Sequence, residues 1–373
     1  MTSWARTRSF FPVTRDWIYL DHAGVAPIST RVEEALRRYA DLASCDGATD
    51  YAAYEAEVAR VRSRAALLIG AAPEEIAFVK NTTEGLGIVA CGLDWRRGDI
   101  VLTCDLEYPS NVTPWWGLRA RGVETVILPS QDGRLPIERV EGALGNPRVR
   151  LLALSSVEFG NGARNDLEML GRLCRDRGVL FCVDAIQSLG CLCLDVERAN
   201  IDFLAADGHK WLLSVEGCGI FFCARRMLEK LAPRIVGWHN VAEPTHFDRY
   251  QTELRRDAQR FEEGTRNTAG IFALGAAIDL LLELELQAVE KRVLMLTEHL
   301  AEGLRARGAT LLSPRGDAAS GIVSFRMGDI PPARSIERLR ARHIHCVARR
   351  GGVRASPHFY IDTAEIDALL ESL

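Results

Sequence analysis

The stretch Phe203-Leu204-Ala205-Ala206-Asp207-Gly208-His209-Lys210-Trp211 places a lysine shortly after an apolar run. That run reads as a buried strand, because short apolar segments bounded by turn-forming residues mark the interior strands of α/β proteins. An ammonium at the end of such a strand is costly to desolvate, and burial shifts the amine toward its neutral, nucleophilic form. A neutral amine can condense with an aldehyde. Taken alone, the same lysine can equally lie along the surface with its charged end in water.

Outward from that strand, short apolar runs alternate with amphipathic stretches through the middle of the chain, the pattern of an α/β sheet. The spacing predicts strands over 75–79, 100–104, 124–128, 151–154, 179–183, 203–206 and 219–223. Between two of them, residues 166–177 set Leu167, Leu170, Leu173 and Cys174 on one helical face. Right-handed crossovers then put helices on both faces of a mostly parallel sheet. From about Gly270 the period turns helical across 271–307, followed by a strand over 321–326, a helix over 335–342 and a terminal helix opened by Thr363. This organisation predicts a large α/β domain over 16–270 and a smaller α+β domain over 271–373, with residues 1–15 packed against the smaller one.

A chain of 373 residues, 47% hydrophobic and 26% charged, can build a sizeable core and carries no signature of disorder. A formal net charge of −4 gives no general attraction for nucleic acid. The start, Met1-Thr2-Ser3-Trp4-Ala5-Arg6, lacks the apolar stretch of a secretory signal, and no apolar run is long enough to span a bilayer. A cytoplasmic protein without a membrane partner is expected. Of the ten cysteines, several sit in apolar runs such as Leu180-Phe181-Cys182-Val183 and read as small core residues. Cys191-Leu192-Cys193 lacks zinc-site spacing, so no metal is expected.

Two further segments bear on the lysine. Val183-Asp184-Ala185-Ile186-Gln187 puts an acid where a buried parallel strand ends, the side on which open α/β sheets bind ligands. A carboxylate there can pair with a protonated pyridine nitrogen, and it can also serve as a plain helix cap or turn residue. Asn81-Thr82-Thr83-Glu84-Gly85 follows another strand and opens a helix, whose first N–H groups suit a phosphate. Thr82 or Thr83 can equally just cap that helix.

Taken in order, Val183-Asp184-Ala185-Ile186-Gln187-Ser188, Asp207-Gly208-His209-Lys210-Trp211 and Arg260-Phe261-Glu262-Glu263-Gly264-Thr265-Arg266-Asn267 resemble the class V aminotransferase family. This branch of the fold-type I pyridoxal-phosphate enzymes includes cysteine desulfurases, isopenicillin N epimerase-like proteins and kynureninase relatives. The resemblance runs from Tyr19-Leu20-Asp21-His22-Ala23 to the final helix. It implies pyridoxal 5'-phosphate as cofactor, with Lys210 forming the imine and shuttling protons, Asp184 on the pyridine nitrogen and Gln187 on the phenolic oxygen. It further implies Thr82 and Thr83 at the phosphate, and Tyr108 over the ring where desulfurases often have histidine. His209 would be a phosphate or cavity-wall residue, with Gly264 and Thr265 supplied by the partner subunit of a homodimer. A core tyrosine and a buried histidine satisfied by a carbonyl are the alternative uses of Tyr108 and His209. Where many desulfurases place an asparagine near the ring oxygen, the alignment puts Val157; Glu158 stays a candidate, and Asn161 and Arg164 read as loop residues.

Arg354, in Gly352-Val353-Arg354-Ala355-Ser356, is similar to the family's arginine that grips a substrate carboxylate, a task suited to a planar fork. Cysteine desulfurases carry a nucleophilic cysteine on a loop just before it. Here no cysteine follows Arg349, and Cys346 belongs to the preceding strand. The resemblance therefore implies a small amino acid as substrate and either desulfurase-like C–S lyase chemistry by β-elimination or amino transfer. An amino-acid epimerase and a catalytically silent binding subunit are the other readings it leaves open.

Overall fold

The computed structural model describes residues 4–373; residues 1–3, part of the stretch expected to pack on the smaller domain, lie outside the described residues. Strand β1 (Ile18–Tyr19) precedes the central sheet of β2 (Ile76–Val79), β3 (Ile100–Cys104), β4 (Glu124–Leu128), β5 (Val149–Ser155), β6 (Leu180–Asp184), β7 (Phe203–Asp207) and β8 (Gly219–Cys223). Their order is β2-β8-β7-β6-β5-β3-β4, and only β8 runs against its neighbours. The strand segments read from the sequence are all present, three of them with the expected ends. Their legibility has a physical cause. Strands covered on both faces read as nearly continuous apolar runs, and β2, β3, β7 and β8 are buried throughout. At the sheet edge β4 keeps Glu124 and Ile127 exposed. Gly219 lets β8 approach β7 closely, since a Cβ there would sit 2.4 Å from the Ala206 carbonyl oxygen.

The helices before and within this sheet are α1 (Trp4–Arg8), α2 (Thr30–Cys45), α3 (Tyr51–Ile69), α4 (Thr82–Gly92), α5 (Thr113–Trp116), α6 (Ile137–Leu144) and α7 (Leu167–Arg177). Asn81 caps α4 by accepting from Glu84 N–H at 2.9 Å, and Asp166 caps α7 in the same way from Met169. The single helical stretch expected over 271–307 is instead two helices, α8 (Thr268–Glu283) and α9 (Leu286–Ala306). The break is at Glu285, held at φ 61°, with no glycine or proline to announce it. It lets the apolar surface change partners: α8 packs on α2 and α3, where Asp279 binds Arg60 and Arg64, whereas α9 packs on α11 (Thr363–Glu371) beyond α10 (Pro332–Arg340).

Downstream, β9 (Thr310–Leu311), β10 (Val323–Arg326), β12 (Val347–Arg349) and β13 (Gly352–Ala355) form an antiparallel sheet in the order β12-β13-β10-β9. Between them β11 (Ile344–His345) pairs in parallel with β1. The early chain is thereby bound to the late chain. Arg8 bridges to Glu365 at 2.6 Å and Phe11 stacks on Tyr360 at 3.8 Å. Burial pushes His22 down to about 4, so the ring is neutral at physiological pH. Its two nitrogens lie 2.8 Å from the Ser356 carbonyl oxygen and 2.6 Å from the Tyr360 hydroxyl, which fits Nδ1–H donating to the first and Nε2 accepting from the second.

Candidate active site

Segments following the carboxyl ends of β2, β3, β5, β6 and β7 converge on one cavity of about 400 Å³. Open parallel sheets bind ligands at that end because strand termini and helix starts leave polar groups there. Lys210, Asp184, Gln187, Thr82, Thr83, Tyr108, His209 and Arg354 all line it. Gly264 and Thr265 do not. They line a separate cavity of about 260 Å³ beside Lys80 and Glu84. A somewhat larger cavity, about 450 Å³, is lined by Arg134, Arg164 and Asp195 and holds none of the candidate cofactor- or substrate-binding residues.

Lys210 is pushed down to about 8, first by burial; Asp184 resists this and Arg354 adds to it. At neutral pH roughly a tenth of the amine is then free of its proton, against less than a thousandth for an exposed lysine. The Nζ lies 5.8 Å from the centroid of the Tyr108 ring. Asp184 is 2% exposed and pushed up to about 6 by burial, a shift opposed by the Ile186 N–H at 3.0 Å and by Lys210. The pair therefore offers a reactive amine and a buried acid that remains largely ionised at pH 7.

Asp207 joins the end of β7 to the start of α4, since its N–H donates to Thr82 Oγ1 at 3.1 Å. His209 Nδ1 lies 3.0 Å from Asp207 Oδ2 without hydrogen-bond alignment. Thr83 donates to Ser110 Oγ at 2.8 Å. Gln187 donates from Nε2 to the Ala23 carbonyl at 3.1 Å and accepts from Trp211 Nε1 at 3.0 Å, which leaves one amide N–H free of these contacts. Tyr108 is half exposed and meets Phe159 edge-on, with ring centroids 5.1 Å apart. An amine, a buried carboxylate and a helix N-terminus around one cavity suit a ligand with an aldehyde, a basic ring nitrogen and a phosphate.

At the cavity's other side, β12 and β13 form a hairpin in which Arg349 pairs with Gly352. Only Arg350 and Gly351 connect them, at φ 42° and 76°, the doubly left-handed geometry of a tight two-residue turn. No loop projects from this turn, and among the described residues no cysteine lines the cavity. Cys346 is buried, and burial together with Asp21 raises its thiol far above the range of a reactive one. Arg354 is 2% exposed; its Nη2 donates to Asp21 Oδ1 at 2.9 Å and its Nη1 to the Phe159 carbonyl at 2.9 Å.

Three features were not anticipated from the sequence. Asp21 is the partner of Arg354, although the only signal was its place in the stretch Tyr19–Ala23. From the 155–164 segment it is Phe159, and not Val157, that faces this cavity; Val157 is fully buried. Glu158 lies outside the cavity lining and is buried beside Glu107, which drew no notice next to Tyr108. Asn161 and Arg164 are loop residues, bound to the Gly133 carbonyl and to Glu290.

The aminotransferase class-V profile matches residues 18–369. The chain is 32% identical over 393 residues to a probable cysteine desulfurase of Methanothermobacter thermautotrophicus, covering 98% of this chain and 96% of the relative. Its structure is similar to the apo structure of the cysteine desulfurase from Thermococcus onnurineus NA1, with TM-score 0.90 and 27% identity over 100% of this chain and 97% of that one. It is also similar, at TM-score 0.91 and 25% identity, to the cystine C–S lyase C-DES. One C-DES structure has glycine covalently linked to the PLP cofactor and aligns over 98% of each chain. Another holds the reaction product cysteine persulfide and aligns over 97% of this chain and 98% of that one.

Proposed function

Because this chain belongs to the class-V aminotransferase family, we propose that it is a pyridoxal-phosphate enzyme that cleaves the carbon–sulfur bond of a small amino acid by β-elimination. The carrying observation is the two-residue β12–β13 turn, which leaves no cysteine to accept sulfur beside Lys210. Relatives that are desulfurases and a C–S lyase favour sulfur chemistry over the epimerase and binding-subunit readings.

Lys210 and Asp184 would hold the cofactor with Gln187, Tyr108 and His209, and the N–H groups and hydroxyls of Thr82 and Thr83 would take its phosphate. Bound there, pyridoxal phosphate supplies an aldehyde for covalent capture of an amine and a ring that withdraws electrons from the captured carbon. Asp184 keeps a negative charge at the end of β6, where it stabilises a protonated ring nitrogen. Arg354, fixed by Asp21 and the Phe159 carbonyl, binds the substrate carboxylate and so orients the α-carbon. Lys210 Nζ takes the α-proton; the electron pair forms the Cα–Cβ double bond, and the Cβ–S bond breaks with its pair leaving on sulfur. With no protein thiol in reach, that sulfur departs into solution.

We further place Gly264 and Thr265 at the active site of a second copy in a homodimer, since their own cavity is separate from that of Lys210. The division into 16–270 and 271–373 remains our reading of the domains, with α8 lying on the helices of the larger one. No described helix is long and apolar enough to cross a membrane, and we assign the protein to the cytoplasm.

The test is product analysis after loading with pyridoxal phosphate and screening cysteine, cystine, alanine and glutamate. Cysteine should yield sulfide, pyruvate and ammonia in equal amounts. Alanine together with a protein-bound persulfide would overturn the elimination reading.

A further inference from the structure

Behind the cavity, Cys104, Glu107 and Glu158 bring one side-chain ligand atom each to within 4.8 Å of one another. All three are buried, and none lines the cavity. The hydrogen bonds divide the two acids unequally. Glu107 has partners on both oxygens: it accepts from the Ser155 N–H and the Ser155 hydroxyl, both at 2.5 Å, and from Asn111 Nδ2 at 3.0 Å. Glu158 Oε1 accepts from Asn165 Nδ2 at 3.0 Å and from the Cys104 thiol at 3.6 Å, while its Oε2 is buried without a partner.

A bare carboxylate oxygen in that setting forfeits its hydration and gains nothing, whereas a protonated one carries no charge to desolvate. Asp184 is a third acid close by, because β5 and β6 pair Ser155 with Asp184. The groups facing Glu158 are Cys104 from β3, Glu107 from the loop after it, Asp184 from β6, Arg350 from the hairpin turn and the neutral Asn165. Lys210 acts on Asp184 from the cavity side. Arg350 spends its own donors on the carbonyls of Asp105 and Glu107. One exposed guanidinium cannot balance three ionised acids.

We propose that Glu158 is held as a neutral acid beside an ionised Glu107, so that the three acids carry two charges and Asp184 keeps its own. Glu158 is then a positioning residue, acting on the cofactor through Asp184. Burial pushes it up to about 7, with Asp184 adding to the shift and Asn165, Cys104 and Arg350 opposing it. Burial and Glu158 push Glu107 well above the ordinary carboxylate range as well, against the pull of the Ser155 hydrogen bonds. The three donors on Glu107, against the bare Oε2 of Glu158, are what assign the proton to Glu158. Above that point a new negative charge appears beside Asp184 and favours protonation of Asp184 and of any base it faces. The consequence for a bound cofactor rests on the proposed function; the protonation of Glu158 does not.

The experiment uses the protein loaded with pyridoxal phosphate. Infrared difference spectra between about pH 6 and about pH 8, one unit either side of the expected midpoint, should show a protonated-carboxyl band lost on raising the pH, and Glu158→Gln should abolish that band. The visible absorption of the bound cofactor should shift over the same window in the parent and stay fixed in Glu158→Gln. If the variant does not fold, carboxyl NMR of the parent labelled with carbon-13 glutamate answers the question: one buried resonance should titrate near 7. A band unchanged by Glu158→Gln, every glutamate titrating in the ordinary carboxylate range, or a stoichiometric divalent metal bound at the cluster would overturn the proposal. Failure to bind pyridoxal phosphate would sink the proposed function while leaving the infrared and NMR results to decide this one.

Discussion

Replacing Asp21 by Asn tests how Arg354, the arginine proposed to bind the substrate carboxylate, is held. Arg354 is 2% exposed, and among the described residues its only charged hydrogen-bond partner is Asp21 Oδ1 at 2.9 Å. At that distance, with an effective dielectric of about 20, the gross attraction is about 6 kcal/mol. Desolvation of both groups takes back part of this, but removal of one partner leaves a buried cation uncompensated, for which losses of about 3–5 kcal/mol are typical. Asparagine keeps a neutral hydrogen bond and the Phe159 carbonyl still accepts from Nη1, so the lower end, about 3 kcal/mol, is expected. With an unfolding entropy near 2.1 cal/mol/K per residue, 373 residues give about 0.8 kcal/mol/K, and Tm should fall by about 4 °C. The assay is thermal unfolding at fixed cofactor concentration, repeated for Arg354→Met and for the double variant. The double variant should recover much of the loss, because it removes the stranded charge as well. A fall below about 1 °C, or strictly additive single and double variants, would refute the claim that the pair fixes Arg354.

Four further outcomes follow from the same geometry. Lys210→Ala should eliminate the borohydride-reducible attachment of pyridoxal phosphate while leaving the fold intact; a reducible link at another lysine would contradict the assignment. Because the Lys210 amine must lose its proton to react and is pushed down to about 8, the rate of cofactor loading should rise with pH and reach half its maximum near 8. A rate still climbing in the ordinary lysine range would show the amine to be unperturbed. Arg354→Lys should raise KM for an amino acid about tenfold, the equivalent of one lost hydrogen bond of about 1.4 kcal/mol, with little change in kcat, and equal binding of the corresponding amine without its carboxylate by the parent enzyme would count against the role. Cys346→Ala should leave sulfide release intact, whereas its abolition would mean that this thiol carries sulfur.

The sheet was legible because its interior strands are mostly apolar and several end in residues with chemical purpose. Phe203–Asp207 leads to Lys210, and Leu180–Asp184 ends on the acid that faces it. The α8–α9 break was not legible, because Glu285 adopts a left-handed backbone in the middle of Leu-Glu-Leu with no residue type that requires it. The same limit applies to long-range pairing. Asp21 and Arg354 are 333 positions apart and meet only because β1 joins β11 and the chain next to β1 runs beside Ser356. Glu107 was hidden for another reason: a buried acid looks like a surface acid until the fold closes over it.

The turn after Arg349 and the amine at 210 divide the chemistry between two parts of the chain. On the proposed function, proton removal at the α-carbon needs only Lys210, Asp184 and a cofactor, and those requirements are common to elimination and transamination. The fate of sulfur depends instead on what stands opposite. A loop there would be tolerated thermodynamically, since closure entropy grows only with the logarithm of length. Its absence is thus no demand of stability, and a hairpin closed by Arg350 and Gly351 in the left-handed region leaves a cavity rim of Arg349, Tyr108 and Phe159, none of which can form a bond to sulfur. Under the proposed elimination the leaving group is carried off by solvent or by a thiol that enters from outside the chain, and that would separate this site from one that stores sulfur on its own cysteine.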